Sequence, residues 1–152
     1  MLKKVGWALL SVAVVVSTWL VVRHLLVSDR DRVVKVVNQL VRHLERRDGA
    51  SFCLLLAEGY KDSHGLNRAA MRTRLAQGLP QLKSLSIRIS DLRVEVTGDK
   101  AVAEFVVDGL ARGRVIERGV RWTTPVRLFV ERIGREWRVV EAEYSLPGRV
   151  DY

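Results

Sequence analysis

The run YKDSHG gathers the side chains best suited to moving a proton, since Tyr60, Asp62 and His64 lie within five residues of one another. An acid and an imidazole this close could supply a general base, provided that burial raises the carboxylate toward neutrality. The same residues would equally make a solvated loop in which Tyr60 plugs the interior and nothing reacts. Other chemistries have less to stand on. His24, His43 and His64 are far apart, and none has companions at metal-ligand spacing, so no metal is expected. There is no Gly-rich phosphate loop and no GxSxG, and no cofactor is expected. Cys53, the only cysteine, sits inside FCLLL and reads as a small buried hydrophobe, not an exposed nucleophile.

Charge is the other unusual property. The chain carries a formal +9. Arg112, Arg114, Arg118 and Arg121 cluster in and around one polar stretch, ARGRVIERG, and form a candidate basic surface. Such a face suits anionic lipid headgroups or an acidic protein; it also suits a solvated sheet face partly paired with Glu117, Glu131, Glu136, Glu141 and Glu143. Nucleic acid is not expected, because aromatic residues do not interleave with the basic ones as a stacking platform requires.

The elements that must position these groups begin behind an apolar run. Val5 to Val22 contains no charge, and eighteen helical residues span about 27 Å, close to the hydrocarbon thickness of a bilayer. Trp7 and Trp19 near its ends suit the headgroup layer. The run is expected to be a single membrane anchor, with Lys3 and Lys4 as the basic flank of a signal anchor. The expected organisation is an anchor over residues 1–27, one domain over 28–146 and a tail over 147–152. The domain is placed in the periplasm, outside an inner membrane, although Arg23, Arg30, Arg32 and Lys35 behind the run pull the other way under the positive-inside rule.

Helical periodicity continues through Val33, Val36, Val37, Leu40 and Leu44. A second helix is expected from Ala50 to Glu58 with Gly59 just past its end, and a third after Asn67 carrying Met71 and Leu75 inward. The period then changes to two. Leu85, Ile87 and Ile89 alternate with polar residues, and the alternation resumes after Asp91 as Leu92, Val94 and Val96, which predicts one long strand with a bulge. Three more strands follow, Ala101–Leu110, Arg121–Arg132 and Trp137–Tyr144, joined by turns at Gly98 and Gly134 and by the polar ARGRVIERG loop, with Glu141 and Glu143 taken to face outward. Helices followed by an antiparallel meander predict an α+β domain: a transmembrane helix, then a cone of helices packed on a curved, mostly antiparallel four-stranded sheet.

A helix, then RRDGASFCLLLAEGYKDSHG, then a short helix and a meander ending in GREWRVVEAEY resembles the nuclear transport factor 2-like superfamily, which includes ketosteroid isomerase and the polyketide cyclases. The resemblance covers about Asp31 to Tyr144 and rests on LLAEGY, GDKAVAEFVV and VRLFVERIGREWRVVEAE. It implies a cone with a pocket between sheet and helices. In ketosteroid isomerase the base is an Asp just past the second helix, so the resemblance implies a pocket near Tyr60, Asp62 and His64, with Asp62 or His64 as base. The family's Pro before the Gly is absent here, and no second acid occupies an inward position.

Fold does not dictate function. The leading expectation is a membrane-anchored, non-enzymatic binding or assembly module, an accessory part of a bacterial envelope complex, similar in architecture to the single-span scaffold proteins of type IV secretion. Its partners are the bilayer, through residues 5–22, and a protein or a second copy, through the sheet face around Phe129, with Trp122 added if Pro125 shifts the alternation. The alternative is a small-molecule isomerase- or cyclase-type enzyme, or a carrier, that uses the cone pocket.

Overall fold

A computed structural model of the chain describes residues 29–114 and 119–145, together with Val16, Ser17, Trp19 and Val22. Most of the apolar run at residues 5–22, Arg118, and the tail from residue 146 lie outside the described residues. Among the described residues no helix is long and apolar enough to cross a membrane.

Helix α1 is described over residues 29–45 and buries Val33, Val36, Val37 and Leu40. These positions recur at three- and four-residue spacing and form one stripe. Full burial of a valine such as Val33 or Val37 stabilises the fold by about 1.5–3 kcal/mol. The chain then turns through Arg47, with φ 60°, to Asp48, whose carboxylate accepts from the Ser51 amide at 2.9 Å and caps helix α2, Gly49–Leu54. Gly49 is required by packing, since a Cβ there would stand 2.9 Å from the Leu75 Cβ.

The second helix is therefore shorter than its sequence suggests. Residues expected to continue it form strand β1, Leu56–Asp62, which pairs in parallel with the last strand. The Val139 amide captures the Leu55 carbonyl at 2.9 Å just where the helix ends. Helix α3, Arg68–Gly78, starts on Asn67, whose side chain accepts from the Ala70 amide, and buries Met71. After a short 3-10 turn, strands β2 (Leu82–Thr97), β3 (Lys100–Gly113), β4 (Val120–Ile133) and β5 (Glu136–Tyr144) form the meander. The sheet has five strands in the order β1-β5-β4-β3-β2, one more than expected.

Two register shifts decide which side chains face the helices. In β2 the register slips between Ser90 and Arg93, with Asp91 at φ 54°, so that Leu92, Val94 and Val96 return to the inner face. In β5 the slip falls at Val140, because Val139 opposes Val130 while Glu141 opposes Phe129. Unbroken alternation from Trp137 and Val139 would have turned Glu141 and Glu143 inward; the slip turns them out and sends Ala142 and Tyr144 in. No slip interrupts β3 against β4, so Pro125 does not disturb the alternation. Trp122 therefore stands on the same face as Thr124 and Val126, on the helix side and not beside Phe129, and its indole covers Gly109 so closely that a Cβ there would come within 2.2 Å of two ring atoms.

The core lies between helices and sheet. It joins the α1 stripe, Cys53, Leu56, Tyr60 and Met71 to Ala101, Ala103, Phe105, Leu128, Val130, Trp137, Val139 and Ala142.

Candidate active site

Burial alternates at the end of β1, which brings Tyr60 and Asp62 to the inner side, 2% and 8% exposed. Asp62 then organises the turn that follows. One carboxylate oxygen accepts from the His64 amide at 2.9 Å and the Leu66 amide at 2.7 Å, and Gly65 closes the loop at φ 78° by donating to the Asp62 carbonyl. The other carboxylate oxygen accepts the Tyr144 hydroxyl at 2.6 Å. A short bond between a neutral donor and a carboxylate is of the strong, charge-assisted kind.

Burial pushes the Asp62 carboxyl up, but the Tyr144 hydroxyl and the Leu66 and His64 amides outweigh it, and the group ends below its ordinary value. The carboxylate is thus held ionised, opposite to the shift that a base poised near neutrality requires. Burial first, and then the neighbouring Asp62, push the Tyr144 phenol well above its ordinary value. Burial also raises Tyr60, helped by the proximity of Tyr144 and Asp62.

A cavity of about 260 Å³ lies between α1, α2, α3 and the sheet. Its wall is almost all carbon, from residues such as Leu40, Phe52, Met71, Phe105 and Val126; the lining residues that carry a side-chain oxygen are Tyr60, Tyr144 and Thr124. Thr124 directs its hydroxyl at the Ser145 carbonyl, 2.9 Å away. Tyr144 directs its proton at Asp62, which leaves the lone pairs of its oxygen to accept from a ligand. The Tyr60 hydroxyl has no hydrogen-bond partner among the described residues, which leaves its proton for a ligand.

Of the three residues singled out in YKDSHG, only Tyr60 lines this cavity. Asp62 stands one bond behind the wall and acts on the cavity through Tyr144. His64 is exposed; its ring lies 5.0 Å from that of Tyr144 and its Nε2 is 3.0 Å from the Tyr144 carbonyl oxygen. Sequence reasoning missed Tyr144. The available signal was the outward parity expected of Glu141 and Glu143, which the slip at Val140 produces and which sends Tyr144 inward. Arg112, Arg114 and Arg121 are exposed near the far ends of β3 and β4, away from the cavity, and Arg118 lies outside the described residues. Phe129 faces outward, half-buried, opposite Glu141 and Val102.

No protein-family model matches the chain, and no curated protein matches it in sequence. Solved structures match it over most of its length. A proposed scytalone dehydratase from Novosphingobium aromaticivorans superposes with a TM-score of 0.74 at 14% identity, over 83% of this chain and 90% of that one. A nuclear transport factor 2-like protein of cystatin-like fold from the same organism gives 0.70 at 19% identity, over 87% and 90%. A type 2 hexachlorocyclohexane dehydrochlorinase, LinA, gives 0.69 at 12% identity, over 83% and 93%.

These findings correct the expectation of a non-enzymatic membrane module. Chains that share this architecture include a dehydrochlorinase and a proposed dehydratase, and the interior of this one holds a cavity of about 260 Å³ with Tyr60 and Tyr144 among its lining residues. With its helices on one face of a five-stranded, mostly antiparallel sheet, the chain has the nuclear transport factor 2-like, cystatin-like α+β fold.

Proposed function

We propose that the chain is a small-molecule enzyme of the proton-transfer kind, an isomerase or dehydratase, that takes a mostly apolar substrate bearing a carbonyl or hydroxyl oxygen. The observation that carries this reading is the 2.6 Å bond from Tyr144 to Asp62 at the wall of a carbon-lined cavity. Tyr60 donates to the substrate oxygen and polarises it. Tyr144 accepts a proton from the carbon next to the one that bears the oxygen as its own proton moves to Asp62; the electron pair left on carbon delocalises onto a carbonyl oxygen that Tyr60 holds, or, where the oxygen is a hydroxyl, forms the carbon–carbon double bond as that hydroxyl leaves as water with the proton that Tyr60 donates. At about 260 Å³ the cavity falls below the roughly 300–1,000 Å³ of drug-sized sites, so the substrate is smaller than a drug-sized molecule.

A second reading, a carrier, is favoured by one observation: the Asp62 carboxyl lies below its ordinary value and is a weak proton acceptor. Deuterium exchange into small alicyclic ketones, followed by NMR alongside ligand binding, separates the two. The enzyme reading expects Tyr144→Phe and Asp62→Asn to abolish exchange while binding persists. Binding with no exchange in the unaltered protein would leave the carrier.

The run at residues 5–22 belongs to the same proposal as a single inner-membrane anchor with the cone on the periplasmic side. Val16, Trp19 and Val22 support it, being helical and 48%, 58% and 51% exposed, an apolar surface that a bilayer would cover. A cysteine introduced near Gly113 and probed with a membrane-impermeant thiol reagent tests the side, because Cys53 is buried. Labelling only after lysis would refute the periplasmic placement.

A further inference from the structure

A second concavity, outside the cone and separate from the Tyr144 cavity, lies between the flank of α1 and the start of β5. Its volume is about 540 Å³. Arg32, Lys35, Arg135 and Arg138 line it, against a single acid, Glu136, which is already paired with Arg138 at 2.6 Å. Lys35 and Arg135 have no ion-pair partner among the described residues. Two apolar side chains stand out of the same end of the molecule: Leu54, in the groove wall and 61% exposed, and Ile133, at the β4–β5 turn and 49% exposed.

The position of this patch along the chain gives it a meaning. Arg132 binds Asp99 of the β2–β3 turn and reaches Asp29 at the start of the described helix, at 3.5 Å, while its guanidinium lies 5.7 Å from the Trp137 ring centroid. The β4–β5 hairpin is thereby tied to the end of α1 that follows the apolar run. Six residues separate Val22 from Asp29, and the seven steps between them, even fully extended, reach only about 25 Å. A chain anchored through residues 5–22 therefore holds this hairpin near the headgroups.

We infer that the groove formed by Arg32, Lys35, Arg135 and Arg138, with Leu54 and Ile133 beside it, docks the cone on an anionic bilayer surface. The inference rests on the reading of residues 5–22 as an anchor. Basic residues near an anionic surface attract phosphate headgroups, and apolar side chains among them enter the interface. Docking would fix the tilt of the cone on the bilayer, the phase in which an apolar substrate dissolves.

The test uses the full chain with Ile133→Cys carrying an environment-sensitive dye, Cys53 being buried. It is reconstituted in bilayers of phosphatidylcholine alone or of equal parts phosphatidylcholine and phosphatidylglycerol. The expected result is a blue shift in the anionic bilayer only, lost at about 1 M salt, where the Debye length is about 3 Å. Reversing Lys35 and Arg135 to Glu should weaken docking at least about tenfold, with Gln at both positions intermediate. Thermal midpoints confirm folding, and neither substitution breaks an ion pair among the described residues. Equal emission in both bilayers, or a shift that survives both the Glu and the Gln replacements, overturns the inference. Alkaline carbonate extraction reads the anchor separately. If carbonate releases the chain, the anchor reading fails, and the same dye comparison with vesicles added to the released chain still decides the docking.

Discussion

The sheet carries polar groups on both faces, and the two faces use them in opposite ways. On the outer face Glu143, Arg127, Glu104 and Arg93 stand in register across four strands, a row of alternating charge. Arg127 bonds Glu104 at 2.6 Å and approaches Glu143 at 3.6 Å, but half of its side chain, 51%, is open to water. On the inner face Asp62 has no formal countercharge in bonding distance, only two amides and a phenol, and it is 8% exposed. Water screens the outer row and supplies substitute partners when one member is lost. A donor lost around Asp62 is harder to replace, because the carboxylate is largely buried and two of its three donors are fixed backbone amides. Strength follows the absence of alternatives, not formal charge.

Substitutions at Asp62 should break this contrast most severely. Asp62→Ala should cost about 2–4 kcal/mol in denaturant unfolding, since it leaves two amides and the Tyr144 hydroxyl without their acceptor; a loss under about 1 kcal/mol would place Asp62 with the outer row. Asp62→Asn should be milder and should alter the acid limb. The folded carboxyl titrates below its ordinary value of 3.8, so its contribution is present above that pH and is lost as pH falls through the folded value. The Asn variant should lack this acid-dependent part of the loss.

Tyr144→Phe should cost about 1–2 kcal/mol and let the Asp62 carboxyl rise, which carboxylate NMR titration would read directly. An unmoved carboxyl would mean that the amides alone hold it down. Tyr60→Phe sharpens the comparison at the other end of the pH scale. The Tyr60 phenol is raised above its ordinary value of 10.0 in the folded chain. Above that pH the unfolded chain ionises first, and stability falls by about 1.4 kcal/mol per pH unit for each such tyrosine. The Phe variant should lose one such slope, and an identical alkaline limb would contradict the burial of the hydroxyl. Last and smallest, Arg127→Ala should leave the thermal midpoint within experimental scatter; a drop as large as that of Tyr144→Phe would show the outer row to be more than a screened surface.

Much of the fold was legible because its causes are local. The α1 stripe is a spacing rule, the turns at Gly98 and Gly134 need positive φ, 61° and 66°, and the return of Leu92, Val94 and Val96 after Asp91 marks a slip on its own strand. Strand β1 was not legible. Its residues continue an apolar run that reads as helix, and what makes it a strand is β5, whose Val139 opposes Leu56. A parallel partner so distant in the chain leaves no trace in a short window of sequence.

Sequence by itself determined the α+β class, the apolar run, the hairpins and the presence of Tyr60, Asp62 and His64 in one short segment. Tertiary structure decided which of them meets the cavity. Asp62 and Tyr144 are 82 residues apart, and one slipped residue at Val140 sends the tyrosine to the acid instead of to solvent. Side-chain parity along a strand is local, but the place where it reverses is set by the neighbouring strand, and that pairing exists only once the sheet has formed.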